Sequence, residues 1–460
     1  MQVLTRFLSR PINSAPVALF RIAFGLFMVV ESIRFMGLGW LEKYYLEPVH
    51  HFTYFGFGWV QPLPSPLLYA AFTLYGIAAL FVALGLYYRL AAVILFIFYS
   101  YSWLLEQTIY NNHYYLLSLI AFLLILMPAN RRWSLDVKYG RVESATHLPA
   151  WSLWLLQFQV GVPYFFGGIA KLNPDWLAGE PMRIWLRNRA NSHFMGSYFT
   201  EEWFVYLVSY SGLLLDLLIV PALLWKRTRI LALVAGTFFH IMNMTLFQIG
   251  IFPYFMLFAT PILFLDPDLW GKWRNRSKRH KASATAVATP VAKWITIFFA
   301  FWVVTQCAIP LRHYLYPGNS NWTEEGHRFA WHMKLRDKQS RGVTFTVSNP
   351  DTGKSITVDP YDRSQTFPVN LLSYRQHRKL NGRPYLIHQF ATQYLAKQPS
   401  LKKWSKVKIT VDATCSLNGR PAQRLIDPDL DLLSVKWGLA PSKWIEPLKH
   451  PLKKPKRAEP

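Results

Sequence analysis

Apolar residues come in long unbroken blocks over most of this chain and in short alternating runs near its end. Nine blocks stand out, at residues 17–35, 67–87, 90–109, 114–127, 151–172, 204–225, 230–247, 251–265 and 294–311. A helix needs about 20 apolar residues to cross a bilayer core, so these blocks predict membrane spans. The fourth and eighth are short and predict tilted partners inside a bundle. Beyond residue 312 the texture changes. Residues 343–347 and 355–358 are β-branched and flank Asn349-Pro350-Asp351-Thr352-Gly353, the signal of a hairpin turn. Residues 407–414 alternate polar and apolar, and Asn418-Gly419 then turns the chain toward residues 423–426 in a second hairpin. A helix is expected between the hairpins, at residues 389–397. The fold class that follows is a polytopic α-helical membrane bundle of about nine transmembrane helices with a C-terminal β-containing extramembrane domain. The boundaries expected are a catalytic bundle at 1–280, a linker and last span at 281–312, an extracytoplasmic β-rich domain at 313–437 and a loose basic tail at 438–460.

Composition agrees with a membrane protein. Of 460 residues 52% are hydrophobic and only 16% are charged, against about 25% charged in soluble domains. The formal charge of +25 would suggest nucleic acid in a soluble chain. Here the lysines and arginines sit in short loops and the tail, which points to anionic lipid and to topology, with no nucleic-acid partner. Arg6 and Arg10, the loop from Arg131 to Arg141, Lys226 to Arg229, and Lys272 to Lys281 all fall on one side of a nine-span bundle, the cytoplasmic side. The outer loop between Trp40 and Trp59, the loop carrying Arg183, Arg187 and Arg189, and everything after Arg312 then lie outside. The aromatic outer loop is expected in the membrane interface. Two cysteines, Cys307 and Cys415, give no disulfide framework and no metal spacing. His50-His51 is a poor metal pair, because adjacent side chains diverge. No cleavable signal peptide is evident before the first span.

Polar residues inside the apolar blocks carry the chemistry. Lys171 ends the fifth block, and Asn173, Pro174 and Asp175 stop the helix behind it. Two readings fit. The lysine snorkels its ammonium to the headgroups, or it is held away from water, where loss of hydration favours the neutral amine that acts as a base. Asn111, Asn112 and His113 open the fourth block. His240 and Asn243 lie three apart on the seventh and share a helix face, and Gln248 follows. Glu31, Arg34, Gln157, Gln159 and Asp216 read as contacts between helices. The set Asn112, His113, Lys171, His240 and Asn243 combines a base, two imidazoles and amides suited to a developing oxyanion. It is too poor in carboxylates for a zinc hydrolase, and no metal is expected. There is no phosphate loop and no Ser-based triad.

Several of these stretches resemble one family. Asn111-Asn112-His113-Tyr114-Tyr115-Leu116, Met127-Pro128-Ala129-Asn130-Arg131-Arg132-Trp133-Ser134-Leu135-Asp136, Gly168-Ile169-Ala170-Lys171-Leu172-Asn173-Pro174-Asp175-Trp176 and His240-Ile241-Met242-Asn243 are similar to the vitamin K-dependent γ-glutamyl carboxylases. Leu224-Trp225-Lys226-Arg227-Thr228-Arg229 and Leu246-Phe247-Gln248-Ile249-Gly250 are similar too, as are Pro317 to Thr323, Trp331-His332-Met333 and Asp427-Pro428 beyond the membrane. The resemblance runs from about Leu19 to Trp437 and is to bacterial homologues with an HTTM-type membrane domain. It implies oxidation of vitamin K hydroquinone, a lipophilic reduced naphthoquinone, by O2 to its epoxide. That step is coupled to removal of a γ-proton from glutamate in a protein or peptide substrate and to addition of CO2. It implies that Lys171 deprotonates the hydroquinone, that His113 and Asn112 belong to the deprotonation and carboxylation centre, and that His240 stabilises oxyanion character. Tyr164, Asn243 and Gln248 are expected beside the vitamin.

Animal members carry a second lysine next to the catalytic one, where this chain has Ala170, so burial is left to keep Lys171 neutral. Asn321-Trp322-Thr323 fits a glycosylation sequon but is coincidental in a bacterium. The location implied is the bacterial inner membrane with the C-terminal domain outside. Two other functions stay open on the sequence: a hydroquinone epoxidase or quinone oxidoreductase without protein carboxylation, and a non-enzymatic quinone- or lipid-binding scaffold.

Overall fold

The computed structural model describes residues 1–192, 194–247, 250–267, 269–270, 291–362 and 372–452. The expected linker at 281–290, the basic run from Lys272 to Lys281 and the last residues of the tail lie outside the described residues. Apolar helices form where the blocks predict them: α1 (Ala15–Gly37), α2 (Ser65–Leu84), α3 (Tyr88–Leu104), α4 (Asn112–Leu126), α5 (Trp151–Lys171), α6 (Glu202–Leu224), α7 (Arg229–Phe247), α8 (Phe252–Phe264) and α9 (Lys293–Leu311). Among the described residues six of them, α1, α2, α5, α6, α7 and α9, are long and apolar enough to cross a membrane. The other three, α3, α4 and α8, have 17, 15 and 13 residues. At ~1.5 Å per residue they fall short of a ~30 Å hydrocarbon core. The chain is a multi-pass membrane protein.

Local chemistry sets the helix ends. The second block stops at Leu84 because Gly85 takes a φ of +63°, where Arg21 and Ser134 leave no room for a side chain. The third stops at Leu104, and the Glu106 carboxylate then accepts from the Thr108 N–H to start a short 3-10 turn. After Lys171, the Asn173 side chain caps the short helix Pro174–Leu177 by accepting from the Trp176 N–H at 3.0 Å.

Helix α5 is the hub and packs on α1, α4, α6, α8 and α9. Small residues bring α1 and α2 together: a β-carbon on Gly25 would lie 2.6 Å from the Ala83 nitrogen and 2.7 Å from the Ala79 oxygen. Ala79 and Ala83, four apart, form the small-residue stripe typical of close helix pairs in membranes. The amides of α5 make the interhelical contacts expected of them. Gln157 donates to the Leu263 carbonyl at 2.8 Å, and the Trp302 indole donates to Gln159 at 2.9 Å.

The extramembrane domain is built on an antiparallel sheet of order β4-β3-β5-β6, with β3 at Lys338–Ser348, β4 at Ser355–Val358, β5 at Lys408–Leu417 and β6 at Gln423–Arg424. Both expected hairpins are present, with Phe345 opposite Val358 and Cys415 opposite Gln423. Alternation buries Val343, Phe345 and Val347 of β3 and Ile409, Val411 and Ala413 of β5. They pack with Leu386, Ile387 and Phe390, which belong to helix α11 (Pro384–Gln389) and the turn after it. A short strand pair, β1 (Pro11–Asn13) with β2 (His147–Pro149), closes the opposite end of the bundle. The tail expected to be loose is packed through its first half. Trp444 is buried, Ile445 bridges to Ile426, and the Trp322 indole donates to the Glu446 carbonyl at 2.7 Å. Its apolar residues complete the domain core despite the surrounding lysines.

The domain is keyed onto the bundle. Arg420 grips Asp175 through two donors at 2.6 and 2.7 Å, and Asn418, in the turn between β5 and β6, donates to the same carboxylate at 2.8 Å. Gln389 exchanges two hydrogen bonds with the Thr53 backbone at 3.0 and 3.1 Å. The aromatic outer loop is therefore clamped between bundle and domain around Thr53, while Trp59 stays exposed.

Candidate active site

Lys171 is the last residue of α5, at the end that faces the extramembrane domain, and is buried, so it does not reach the headgroups. Its Nζ sits 2.5 Å from Asp216 Oδ2 on α6, 3.3 Å from the Gly167 carbonyl and 5.3 Å from the centre of the Trp176 ring. Gly167 makes this possible: a β-carbon there would lie 3.2 Å from Asp216 Oδ2. A lysine kept neutral by burial alone is corrected by this geometry. The amine has a carboxylate counter-ion, so a proton on Nζ leaves the pair neutral overall. Asp216, read from sequence as a helix contact, is half of that unit. The two positions are 45 apart in the chain, and no sequence periodicity links them.

The second pair lies two turns back along α5. The Tyr164 hydroxyl and His240 Nε2 of α7 are 2.6 Å apart. They border a small apolar cavity, lined also by Leu233, Gly236, Met256 and Thr260, with room for about one water. Asn243 is half-buried one turn further along α7. Gln248 lies outside the described residues.

Asn112 and His113 start α4. The Asn112 amide is used on both sides: its oxygen accepts from the Tyr110 hydroxyl at 2.9 Å and its nitrogen donates to the His332 carbonyl at 3.2 Å. The His113 ring stacks on Phe252 at 5.0 Å between centroids and faces a cavity of about 150 Å³. That cavity also meets Glu31, Arg34, Asn111, Tyr44 and Arg375. The two cavities share no lining residue. Helix α8 spans between them, with Ile251 just before it at one and Met256 at the other.

What joins Asn112 to Lys171 is a piece of the extramembrane domain. Trp331 stacks on Tyr115 of α4 at 5.2 Å, and His332 is tied to Asn112 through its carbonyl. The Met333 methyl lies beside Gly167, on the spot flanked by Asp216 and Lys171. The His332 ring is buried against His313 and His327, with no hydrogen-bond partner on either ring nitrogen. Burial pushes its pKa down to about 3, helped by His313 and Arg336. Near it, burial would raise the Glu324 carboxyl, but Arg336 at 2.6 Å, with Arg383 and Lys338, outweighs that and holds it at about 2. The sequence marked residues 331–333 as a motif and gave no hint that they reach the lysine.

The chemistry available is proton transfer at a buried amine–carboxylate pair, hydrogen bonding to a phenolic oxygen by a Tyr–His pair, and an imidazole facing a polar cavity. Among the described residues no group of histidines, cysteines and carboxylates is arranged to bind a metal. Residues 9–270 match the HTTM domain, and residues 291–451 match the lumenal domain of vitamin K-dependent gamma-carboxylase. No solved structure matches the chain.

Proposed function

The chain belongs to the vitamin K-dependent gamma-carboxylase family, and from that premise we propose that it carboxylates glutamate side chains of a protein or peptide, using CO2 and the oxidation of a reduced naphthoquinone by O2. The observation that carries this reading is the insertion of residues 331–333 between Asn112 and the Lys171–Asp216 pair. It puts the domain that would meet a protein substrate against the groups that would handle the proton.

The residues fit the quinone chemically. Tyr164 and His240 offer a donor and an acceptor to a ring oxygen in an apolar cleft between α7 and α8. With room there for about one water, the ring enters by parting these two helices. The bound reduced quinone supplies the reducing equivalents for O2 and, with them, the driving force for removing a γ-proton. Lys171 Nζ takes the phenolic proton from the pair's deprotonated state, free amine beside carboxylate, and Asp216 then neutralises the ammonium that forms, which is the ion pair seen at 2.5 Å, in a site that excludes water. Asn112 positions the inserted segment, and His113 faces the cavity in which the glutamyl side chain is deprotonated. The basic loops at Arg131 to Arg141 and Lys226 to Arg229 set the bundle with the extramembrane domain outside a bacterial inner membrane.

Purified protein incubated with reduced vitamin K and labelled CO2, with and without a Glu-rich peptide, tests this. Epoxide together with label in the peptide is expected. Epoxide without label reduces the activity to quinone oxidation, and neither product leaves a binding scaffold.

A further inference from the structure

The 150 Å³ cavity at His113 lies on the joint between bundle and extramembrane domain, and its charges do not balance. Arg34 is neutralised within α1, its Nε and Nη2 donating to Glu31 at 2.7 and 2.8 Å. Arg375 is not. It sits on helix α10 (Tyr374–Leu380), with its guanidinium over the Tyr44 ring at 5.0 Å and one nitrogen 3.5 Å from the Tyr44 hydroxyl. Its Nε is buried without a hydrogen-bond partner, and among the described residues it forms no ion pair with a carboxylate.

The helix that carries it is held firmly. Ser373 and Gln376 form a capping box, and the Gln376 amide donates to the His50 carbonyl at 2.7 Å and to Glu106 at 2.9 Å. Glu106 is in turn occupied by the backbone of Phe52 and Thr108. Lys379 and Arg383 add to the positive field on the domain side, and Lys379 is pushed well below the ordinary lysine range by Arg383 first, then by burial and Arg375. Arg375 itself is half-buried, and a guanidinium with a buried, unused donor is stabilised by an anion that brings acceptors with it.

We propose that Arg375 binds the γ-carboxylate of the glutamyl side chain and holds its Cγ toward His113, an assignment that rests on the carboxylation reading. The cavity has room for on the order of five waters, which suits a side chain of five heavy atoms. One guanidinium answers one carboxylate in charge, and Arg is the residue whose planar fork grips a carboxylate at two points. When Cγ gives up its proton to the base that oxidation of the reduced quinone by O2 would supply, the electron pair left behind spreads onto the same two oxygens. A cation already bonded to them stabilises that charge as it forms.

The experiment uses the full chain in detergent and two peptides that differ only in Glu against Gln. Wild-type protein is expected to bind the Glu peptide about 10- to 100-fold more tightly, the range for a hydrogen-bonded charge. Arg375→Gln is expected to erase the difference and Arg375→Lys to restore part of it, with KM for the Glu peptide following the same order. No preference in the wild type, or a preference that survives Arg375→Gln, overturns the assignment. Arg375→Lys keeps the test decisive if Arg375→Gln fails to fold. A clear Glu preference with no label from CO2 would sink the carboxylation reading and leave the anion site standing.

Discussion

Replacing Asp216 by Asn tests the central pair directly. The two side chains are 7% and 4% exposed, and Nζ and Oδ2 are 2.5 Å apart. At an effective dielectric near 20 the gross attraction at that distance is about 7 kcal/mol. Most of this is offset by the cost of taking both charges out of water, so the pair adds little over an apolar substitute. Removing one partner is different, because the other is left buried and unpaired, at about 3–5 kcal/mol. Asn keeps the shape and one acceptor, so Asp216→Asn is expected near the lower end. Lys171→Met should lose a similar amount, and Lys171→Met with Asp216→Asn should recover part of the loss. Melting of all four proteins in one detergent measures the coupling. If the two single losses simply add, to within about 0.5 kcal/mol, the two groups are not an ion pair and the proton-transfer argument fails. Activity should not recover in the double variant, which separates fold from chemistry.

Three further outcomes are expected. Lys171→Ala should abolish epoxide formation and also lower the melting temperature, since it strands Asp216; normal turnover would remove the lysine from its role. Glu324, held at about 2 in the folded domain against an ordinary 4.5, binds protons more weakly folded than unfolded. Its contribution, about 3 kcal/mol, is full above pH 4.5 and is lost as pH falls toward 2. Glu324→Gln should flatten that acid limb in a near-UV circular dichroism titration, and an unchanged limb would refute the assignment. Gly25→Ala should cost about 1–3 kcal/mol by forcing α1 off α2, whereas Gly37→Ala, with open space around it, should be neutral in the same melting assay.

The bundle was legible because length and unbroken apolarity are local properties, and all nine blocks became helices. The hairpins were legible for the same reason: Asn349 to Gly353 and Asn418-Gly419 are turn chemistry written in adjacent residues. Helix ends were less so, and α2 ends at Gly85 because of what Arg21 and Ser134 occupy, not because of its neighbours in sequence. The site divides in the same way. Lys171, His113 and His240 stood out as polar residues in or beside apolar runs. Most of their partners did not: Asp216 looked like any interhelical contact and Arg375 like one more basic residue in a basic domain, while Tyr164 was expected beside the vitamin but not as the partner of His240. Met333 stood out only as part of a family motif, and being apolar it gave no sign that it reaches the lysine. These assignments depend on contacts between residues 45 to more than 200 positions apart, which no local pattern encodes.

The wedge formed by residues 331–333 makes the molecule a single machine with no detachable part. A pull on the outer domain, such as a bound protein would exert, arrives at the buried amine with one thioether in between. Cutting the chain after Leu311 should therefore yield a membrane core whose proton-handling pair is open to solvent from one side, and not a smaller version of the whole.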